Sequence, residues 1–409
     1  MEGPRINPEL PVGKRIQYFR QRAGKTRAVL AGLLGKSESW LKAVETGRLL
    51  PPRLPMLVRI AEMLKVSLAD LTGAIEAPAE TFSGSAHPAL PAVRAAMSDY
   101  LLGMPSGVER VSTQQLRERL SSAWAARHAS PLHRTTLGEL LPGLIRDAQI
   151  AVRAASDLRE RRDAYALLSE TMNLVTFYVA YQPAASLLWR AVERAMAAAY
   201  DAEDPRTIAM SAWSLAQAHR DSGEWEQAQE VTMSALRLLD PLLSDGPAEL
   251  LGMWGALQAE AAYTAAKVGD QGVALHHLDE ASRAAQRLPV GYYQTMTSFS
   301  TAILPAHAVT VHVELRKAGE AARHAAVGNP ADIPSRPRRA RHLIEVARAY
   351  HARRDYEATA ELLDKAYEAA PETIQFNGYA RQMVGEMMDR VARMRRRAHD
   401  LAEKVGMLA

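Results

Sequence analysis

The sequence predicts an all-α protein made of two dissimilar parts. No stretch alternates apolar and polar residues as a half-buried strand does, and four short helical patterns crowd residues 11–72. Beyond residue 91 the chain is rich in Ala, Leu and Arg and carries a weak, repeated helical pattern. With 409 residues it is long enough for one small domain attached to an extended array.

The N-terminal patterns follow one another closely. From Val12 the apolar positions Ile16, Phe19 and Ala23 mark one face, and Gly24 stops that helix. Thr26 caps the next, in which Val29, Leu30 and Leu33 are apolar, and Gly35 ends it. Ser37 caps a third through Trp40, Leu41 and Val44 to Gly47. After Pro51, Pro52 and Pro55, a fourth pattern carries Leu57, Ile60, Ala61 and Leu64, and residues 67–71 form a short last turn. These five segments define a domain over residues 1–73. Residues 74–91 hold Pro78, Pro88 and Pro91 with little that packs, and are expected to be a linker.

Residues 92–409 form the helical body. Leu215, Ala216, Gly223, Trp225, Ala228, Ala235 and Asp240-Pro241 set a pattern over 209–242. It returns over 255–288 with Ala261, Ala262, Gly269, Ala274 and Ala281, and over 340–371 with Ala347, Tyr350, Tyr356, Ala366 and Pro371. A degenerate copy spans 169–201 around Ala195, and another lies near Gly319. Small residues where two antiparallel helices meet, with a Gly turn between them, resemble the tetratricopeptide repeat (TPR). Gly223 and Gly269 are 46 residues apart, more than the roughly 34 of the standard repeat. Longer helices and an irregular array are expected.

Charge separates the same two parts. Residues 1–73 hold thirteen Lys and Arg against six Asp and Glu, a charge of +7, which leaves −3 for the rest. A small basic module on a near-neutral body is suited to an extended anion such as nucleic acid. The absence of cysteine excludes disulfides, thiol nucleophiles and Cys-ligated metals, and fits a reducing cytoplasm. No apolar run approaches the ~18 residues of a membrane span, and the N-terminus lacks an apolar signal core. A cytoplasmic protein with no membrane partner is expected.

Within the basic module, Ala31 is small where two helices would cross, Gly35 sits at their turn, and Leu41 and Val44 point back to the core. With Glu45-Thr46-Gly47-Arg48, the proline turn and the ending Leu57-x-x-Ile60-Ala61-x-x-Leu64-x-Val66-Ser67, residues 11–72 resemble the phage-repressor-like (XRE, Cro type) helix-turn-helix family. A recognition helix starting at Ser37 would place its first residues at base edges in the major groove. The resemblance puts Ser37, Glu38, Ser39 and Lys42 at base-reading positions. Lys42 can donate to guanine, Glu38 can accept from cytosine, and the serines can do either. It puts Arg27 at a phosphate, and Lys25, Lys36 and Arg48 are placed to add backbone contacts. Trp40 either packs on the sugar–phosphate backbone or covers the helix pair. Arg20 and Glu45 match a partly buried ion pair of the family, a structural role. Arg53, Arg59 and Lys65 read as a solvated face.

Several motifs mimic chemistry. Gly35-Lys36-Ser37 resembles the end of a phosphate-binding loop, but Leu30 stands where that loop needs glycine and a helix, not a strand, precedes it. His276 with Asp279 or Glu280, and His307 with His312, have ligand-like spacing without a recognised metal motif. Glu203 and Asp204 lie at a helix end as caps. The sequence offers no catalytic constellation, so no enzyme, cofactor or metal is expected. Arg390, Arg393, Arg395, Arg396 and Arg397 form a basic patch, read as a polar cap on the array or else as a second DNA contact.

A helical array has a concave face suited to a ligand. Counting from the repeat glycines places Trp213, Gln217 and Arg220 on the inner face of one repeat and Glu260, Tyr263 and Lys267 on the next. The same count places Asn173, Phe177 and Tyr181 earlier and Arg341, Glu345 and Arg348 later, with inter-helix packing as the alternative for the aromatic pair. An XRE reader followed by irregular TPR-like repeats is similar to the peptide-sensing regulators of Gram-positive bacteria and to the long XRE–TPR regulators of actinomycetes. That resemblance implies a homodimeric transcriptional regulator on double-stranded DNA, modulated by a peptide, small molecule or protein partner. The alternative is a TPR adaptor whose helix-turn-helix binds DNA weakly or not at all.

Overall fold

The computed structural model describes residues 11–49, 52, 54–64, 66, 71, 86–100 and 111–408. Every regular element among them is helical. The chain divides into two compact units, Met1–Pro78 and Ala79–Ala409.

In the first unit α1 (Val12–Arg22), α2 (Arg27–Leu33), α3 (Glu38–Glu45) and α4 (Leu54–Leu64) follow the expected order. Thr26 Oγ1 accepts from the Val29 N–H at 3.2 Å and caps α2, as its hydroxyl suggested. Gly35 takes φ +65° in the turn between α2 and α3, a conformation that only glycine adopts freely. Ile16, Leu30, Ala31, Leu34, Leu41, Val44, Ile60 and Leu64 close the core. Leu71 is helical and joins that core, while most of the expected last turn, together with Arg53 and Lys65, lies outside the described residues.

The second unit is built of helix pairs. It opens with α5 (Leu90–Ser98), followed by α6 (Thr113–Ala129) with α7 (His133–Ala154), and α8 (Leu158–Val179) with α9 (Ala185–Ala202). Next come α10 (Pro205–Asp221) with α11 (Trp225–Leu239), and α12 (Ala248–Val268) with α13 (Gln271–Arg287). Then α14 (Leu304–Glu314) pairs with α15 (Ala318–Val327), and α16 (Arg336–Ala352) with α17 (Tyr356–Ala369). The chain ends in α18 (Pro371–Gln375), α19 (Gly378–Arg390) and α20 (Arg395–Lys404).

The turns explain why the repeat was visible in some places only. Gly223 and Gly269 have φ of 82° and 84°, and three other pairs turn through Tyr181, Arg316 and Arg354 at φ of 64°, 59° and 63°. Non-glycine residues in this conformation are uncommon and leave no sequence mark. Gly319 lies inside α15 rather than at its turn. Ala195, Ala216, Ala261, Ala281 and Ala347 are fully buried where helices approach. The 46-residue spacing comes from the 21 residues of α12 and from a 3₁₀ turn and loop after α11.

One expectation changes. The linker does not extend to residue 91: His87 and Leu90 are buried in the second unit, and the His87 N–H donates to Gln182 Oε1 at 3.0 Å. At the other end, in keeping with a polar cap on the array, the basic C-terminal helix packs Ala398, Leu401 and Ala402 inward, and Arg397 and Lys404 reach Asp364 on α17.

The array also closes on itself. No side chain at Leu132 caps α7, yet Glu372 of α18 accepts from the Arg134 and Thr135 N–H groups and from Thr135 Oγ1 at 2.6 Å. A carboxylate there satisfies donors the helix leaves open and meets the positive end of its dipole. His128 of α6 donates from Nε2 to the Thr295 carbonyl at 2.8 Å and accepts at Nδ1 from Ser335 Oγ at 2.8 Å. The first helix pair of the array is thus fastened to the last.

Candidate DNA-binding surface and ligand cavity

In the first unit the third helix is fixed from both ends. Ser37 stands at its N-cap, its Oγ accepting from the Trp40 N–H at 3.2 Å. Leu41 and Val44 hold its inner face, which leaves Glu38, Ser39 and Lys42 exposed on the outer one. At its C-terminal end Glu45, wholly buried, accepts from Arg20 Nε at 2.5 Å, Arg20 Nη2 at 3.1 Å and Arg27 Nε at 2.6 Å. A buried carboxylate survives only when paired, and this one ties α1 and α2 to α3.

Of the expected DNA contacts, Lys36 and Arg48 are exposed and Lys25 is half-buried. Arg27 departs from the phosphate role alone, because its Nε is engaged with the same carboxylate as Arg20. Ser37 spends an acceptor site on the cap and lies 3.0 Å from Ser39 Oγ. Trp40 is half-buried against the core with Lys36 Nζ 6.0 Å from its ring, which puts it over the helix pair. Gly13 went unnoticed in the sequence: a Cβ there would lie 2.1 Å from the Val44 carbonyl oxygen, so only glycine lets α1 approach α3.

In the second unit a cavity of about 180 Å³ lies inside the closed array. Nine of the twelve residues expected on the inner face line it: Phe177, Tyr181, Trp213, Gln217, Arg220, Glu260, Tyr263, Arg341 and Glu345. Phe177 and Trp213 stack at 5.9 Å between centroids. Arg220 pairs with Glu260 and with Asp221, and Gln217 Nε2 donates to Glu260 at 3.3 Å. Arg341 Nε donates to Glu345 at 3.0 Å and its Nη1 to the Tyr181 hydroxyl at 2.8 Å.

The other three lie behind this lining. Asn173, one turn before Phe177, is buried and donates from Nδ2 to Ser211 Oγ at 3.0 Å, stitching α8 to α10. Lys267 donates to the Tyr379 hydroxyl at 2.9 Å and pairs with Glu314 at 3.4 Å. Arg348 joins Glu314 at 2.8 Å to Glu345 at 2.6 Å. Each sits a helical turn off the inner face, where helices cross and a long polar side chain has to find a partner.

The sequence reading missed the cavity residues that ring closure supplies: Arg127, His133, Arg134, His307, Arg338 and His342. Arg338 was one turn from the expected Arg341, and that spacing was its available signal. Burial holds Arg127 and Arg134 down to about 10, still cationic at neutral pH. Burial, with Arg338 adding its charge, pushes His342 to about 4 and His307 well below the usual range. Burial, then Arg127, lowers His128 to about 3. These histidines are neutral. Among the described residues no group of three or more His, Cys, Asp or Glu side chains could hold a metal, and no helix is long and apolar enough to cross a membrane.

Comparison with known proteins agrees with the first unit. Residues 12–72 match the family model described as "Helix-turn-helix domain", so the chain carries such a DNA-binding domain at its N-terminus. No curated protein matches the sequence. Among solved structures, BtubC from P. vanneervenii is 14% identical, with a TM-score of 0.36 over 62% of this chain and 90% of that one. A point mutant of PrgX is 11% identical, with a TM-score of 0.34 over 84% and 95%. Bacillus thuringiensis PlcR, solved with the peptide PapR7 and DNA, is 12% identical, with a TM-score of 0.27 over 86% and 99%.

Proposed function

We propose that this chain is a cytoplasmic, sequence-specific transcriptional regulator that binds an inverted-repeat operator as a homodimer and responds to a ligand in the cavity of its helical array. The observation that carries this reading is the third helix of the first unit. Its N-terminal turn presents Glu38 and Ser39, with Lys42 one turn on, while Lys36 and Arg48 flank it, in a unit that matches the helix-turn-helix family. Exposed side chains at the start of such a helix reach base edges, and flanking cations neutralise phosphates. One reading helix spans only a half-site, which is why two copies are expected about one DNA turn apart.

Response to a ligand is supported by the fastening of the array. Near the start of the described part of the second unit, His87 Nε2 donates to Thr135 Oγ1 at 3.2 Å beside Glu372. A ligand that alters the closure around the cavity therefore acts next to His87, near the N-terminal end of the second unit. Selection of binding sites from a random DNA pool by the full-length protein, at two salt concentrations, tests the reading. An inverted-repeat consensus with steep salt dependence is expected. Failure to enrich any motif, with and without cavity ligand, would favour a protein–protein adaptor.

A further inference from the structure

The cavity carries more positive charge than its own carboxylates balance. Five guanidiniums line it, and three carboxylates, Asp221, Glu260 and Glu345, are shared between Arg220 and Arg341. Arg134 donates to the carbonyls of Tyr178 and Ala180 and lies near Glu372. Arg127 and Arg338 differ. Their hydrogen-bonding neighbours are imidazoles, His128 Nδ1 at 3.3 Å and His307 Nδ1 at 3.5 Å, and both feel the same neighbour, Tyr293. Each hydrogen-bonds an imidazole rather than an anion, and the carboxylate whose charge reaches Arg338, Glu345, is already held by Arg341 and Arg348.

On the cavity wall, Arg127 Nε, Arg134 Nε, His307 Nε2 and His342 Nδ1 are buried atoms with no hydrogen-bond partner among the described residues. His342 is 4% exposed. Native proteins seldom leave such atoms unmet, and a guanidinium fork left without an anion is a recognition element for an oxyanion. Beside these atoms stands an apolar wall: the Arg127 guanidinium lies 4.2 Å from the Phe177 ring centroid, and Phe177 stacks on Trp213. The closures at Glu372 and His128 join the two ends of the array beside this cavity.

We propose that this chamber binds a small molecule with an oxyanion at one end and an apolar body at the other, the oxyanion held by Arg127 and Arg338 and the body against Phe177 and Trp213. The inference rests on the ligand-responsive reading above and names the class of ligand. An oxyanion would restore the charge balance that burial now strains in both guanidiniums. The histidines, being neutral, would donate or accept single hydrogen bonds to the same ligand.

Calorimetric titration of the full-length protein with phenylacetate, phenyl phosphate, phenylacetamide and inorganic phosphate tests the proposal. At least one of the two amphipathic anions is expected to bind about tenfold or more tightly than the neutral amide and than inorganic phosphate. The stronger of the two identifies the oxyanion. Arg127→Met with Arg338→Met should abolish that preference while the thermal midpoint of the ligand-free protein stays level or rises, since two half-buried cations that hydrogen-bond no carboxylate have been removed.

Equal binding of amide and acid, a preference that survives the double substitution, or no binding by any probe would overturn the proposal. The acid–amide comparison in the unsubstituted protein keeps the test independent of how the variant folds. Operator selection run in parallel separates the two claims: an enriched motif without anion binding overturns the ligand class alone, and anion binding without a motif overturns the regulator reading alone.

Discussion

Both units bury a carboxylate between two arginines, and they use the device to opposite ends. In the first, Glu45 takes Arg20 and Arg27, while Lys36, Lys42 and Arg48 point outward. In the second, Glu345 takes Arg341 and Arg348, but the chamber beside it keeps two guanidiniums facing imidazoles. Outward positive charge suits a long polyanion, and inward positive charge suits a small anion that can be enclosed. The same side chain thus marks two classes of partner according to which side of the fold it faces.

The comparison can be broken most forcefully at Glu45. Glu45→Gln should destabilise the first unit by about 3–5 kcal/mol, because two guanidiniums lose a buried partner. Thermal unfolding followed by hydrogen exchange would show the loss confined to residues 11–72, and an unchanged transition would mean that the pair does not hold α3 in place. Gly13→Ala should cost the same unit about 1–3 kcal/mol by driving a methyl into the Val44 carbonyl, with operator affinity falling in step.

Specificity gives a sharper and smaller effect. Lys42→Ala should relax preference at a single base pair of each half-site by about 1–3 kcal/mol and leave the fold intact. A uniform loss across all sequences would assign Lys42 to phosphate instead.

The second unit should respond to acid where the first does not. His128 and His342 stay neutral in the fold, with pKa values held to about 3 and about 4, whereas the unfolded chain protonates them near the ordinary histidine value of 6.5. The unfolded state binds more protons, so stability is complete above that pH. It is lost as pH falls toward 4, by up to about 1.4 kcal/mol per pH unit for each such group. Denaturant unfolding at pH 7 and pH 5, monitored separately for the two units, reads this directly, and a flat profile for the second unit would show the imidazoles to be solvated.

How much was legible in the sequence follows the same division. The first unit could be read nearly residue by residue because its determinants are local: caps at Thr26 and Ser37, a left-handed glycine at 35, apolar spacing in each short helix. What escaped was Gly13, whose constraint comes from the backbone of a helix about thirty residues away. In the second unit the paired helices and nine of the inner-face residues were visible from the repeat glycines. Three turns were hidden in Tyr181, Arg316 and Arg354, which leave no mark on composition. The chamber's charge was hidden too, since Arg127 and Arg338 come to one cavity through closures such as that of Glu372, 238 residues beyond Arg134, on α7. Contacts that far apart have no spacing to read.

The salt dependence of operator binding tests the division most directly. Affinity would be measured across salt concentrations for the full-length protein, for Lys36→Ala with Arg48→Ala, and for Arg393→Ala with Arg396→Ala on the exposed C-terminal patch. Phosphate contacts confined to the first unit predict that the first pair lowers the slope of log affinity against log salt by about two, and that the second pair leaves it unchanged. A slope that falls with the C-terminal pair and not with Lys36 and Arg48 would contradict the account, because the polyanion would then be held by the array and not by the helix-turn-helix.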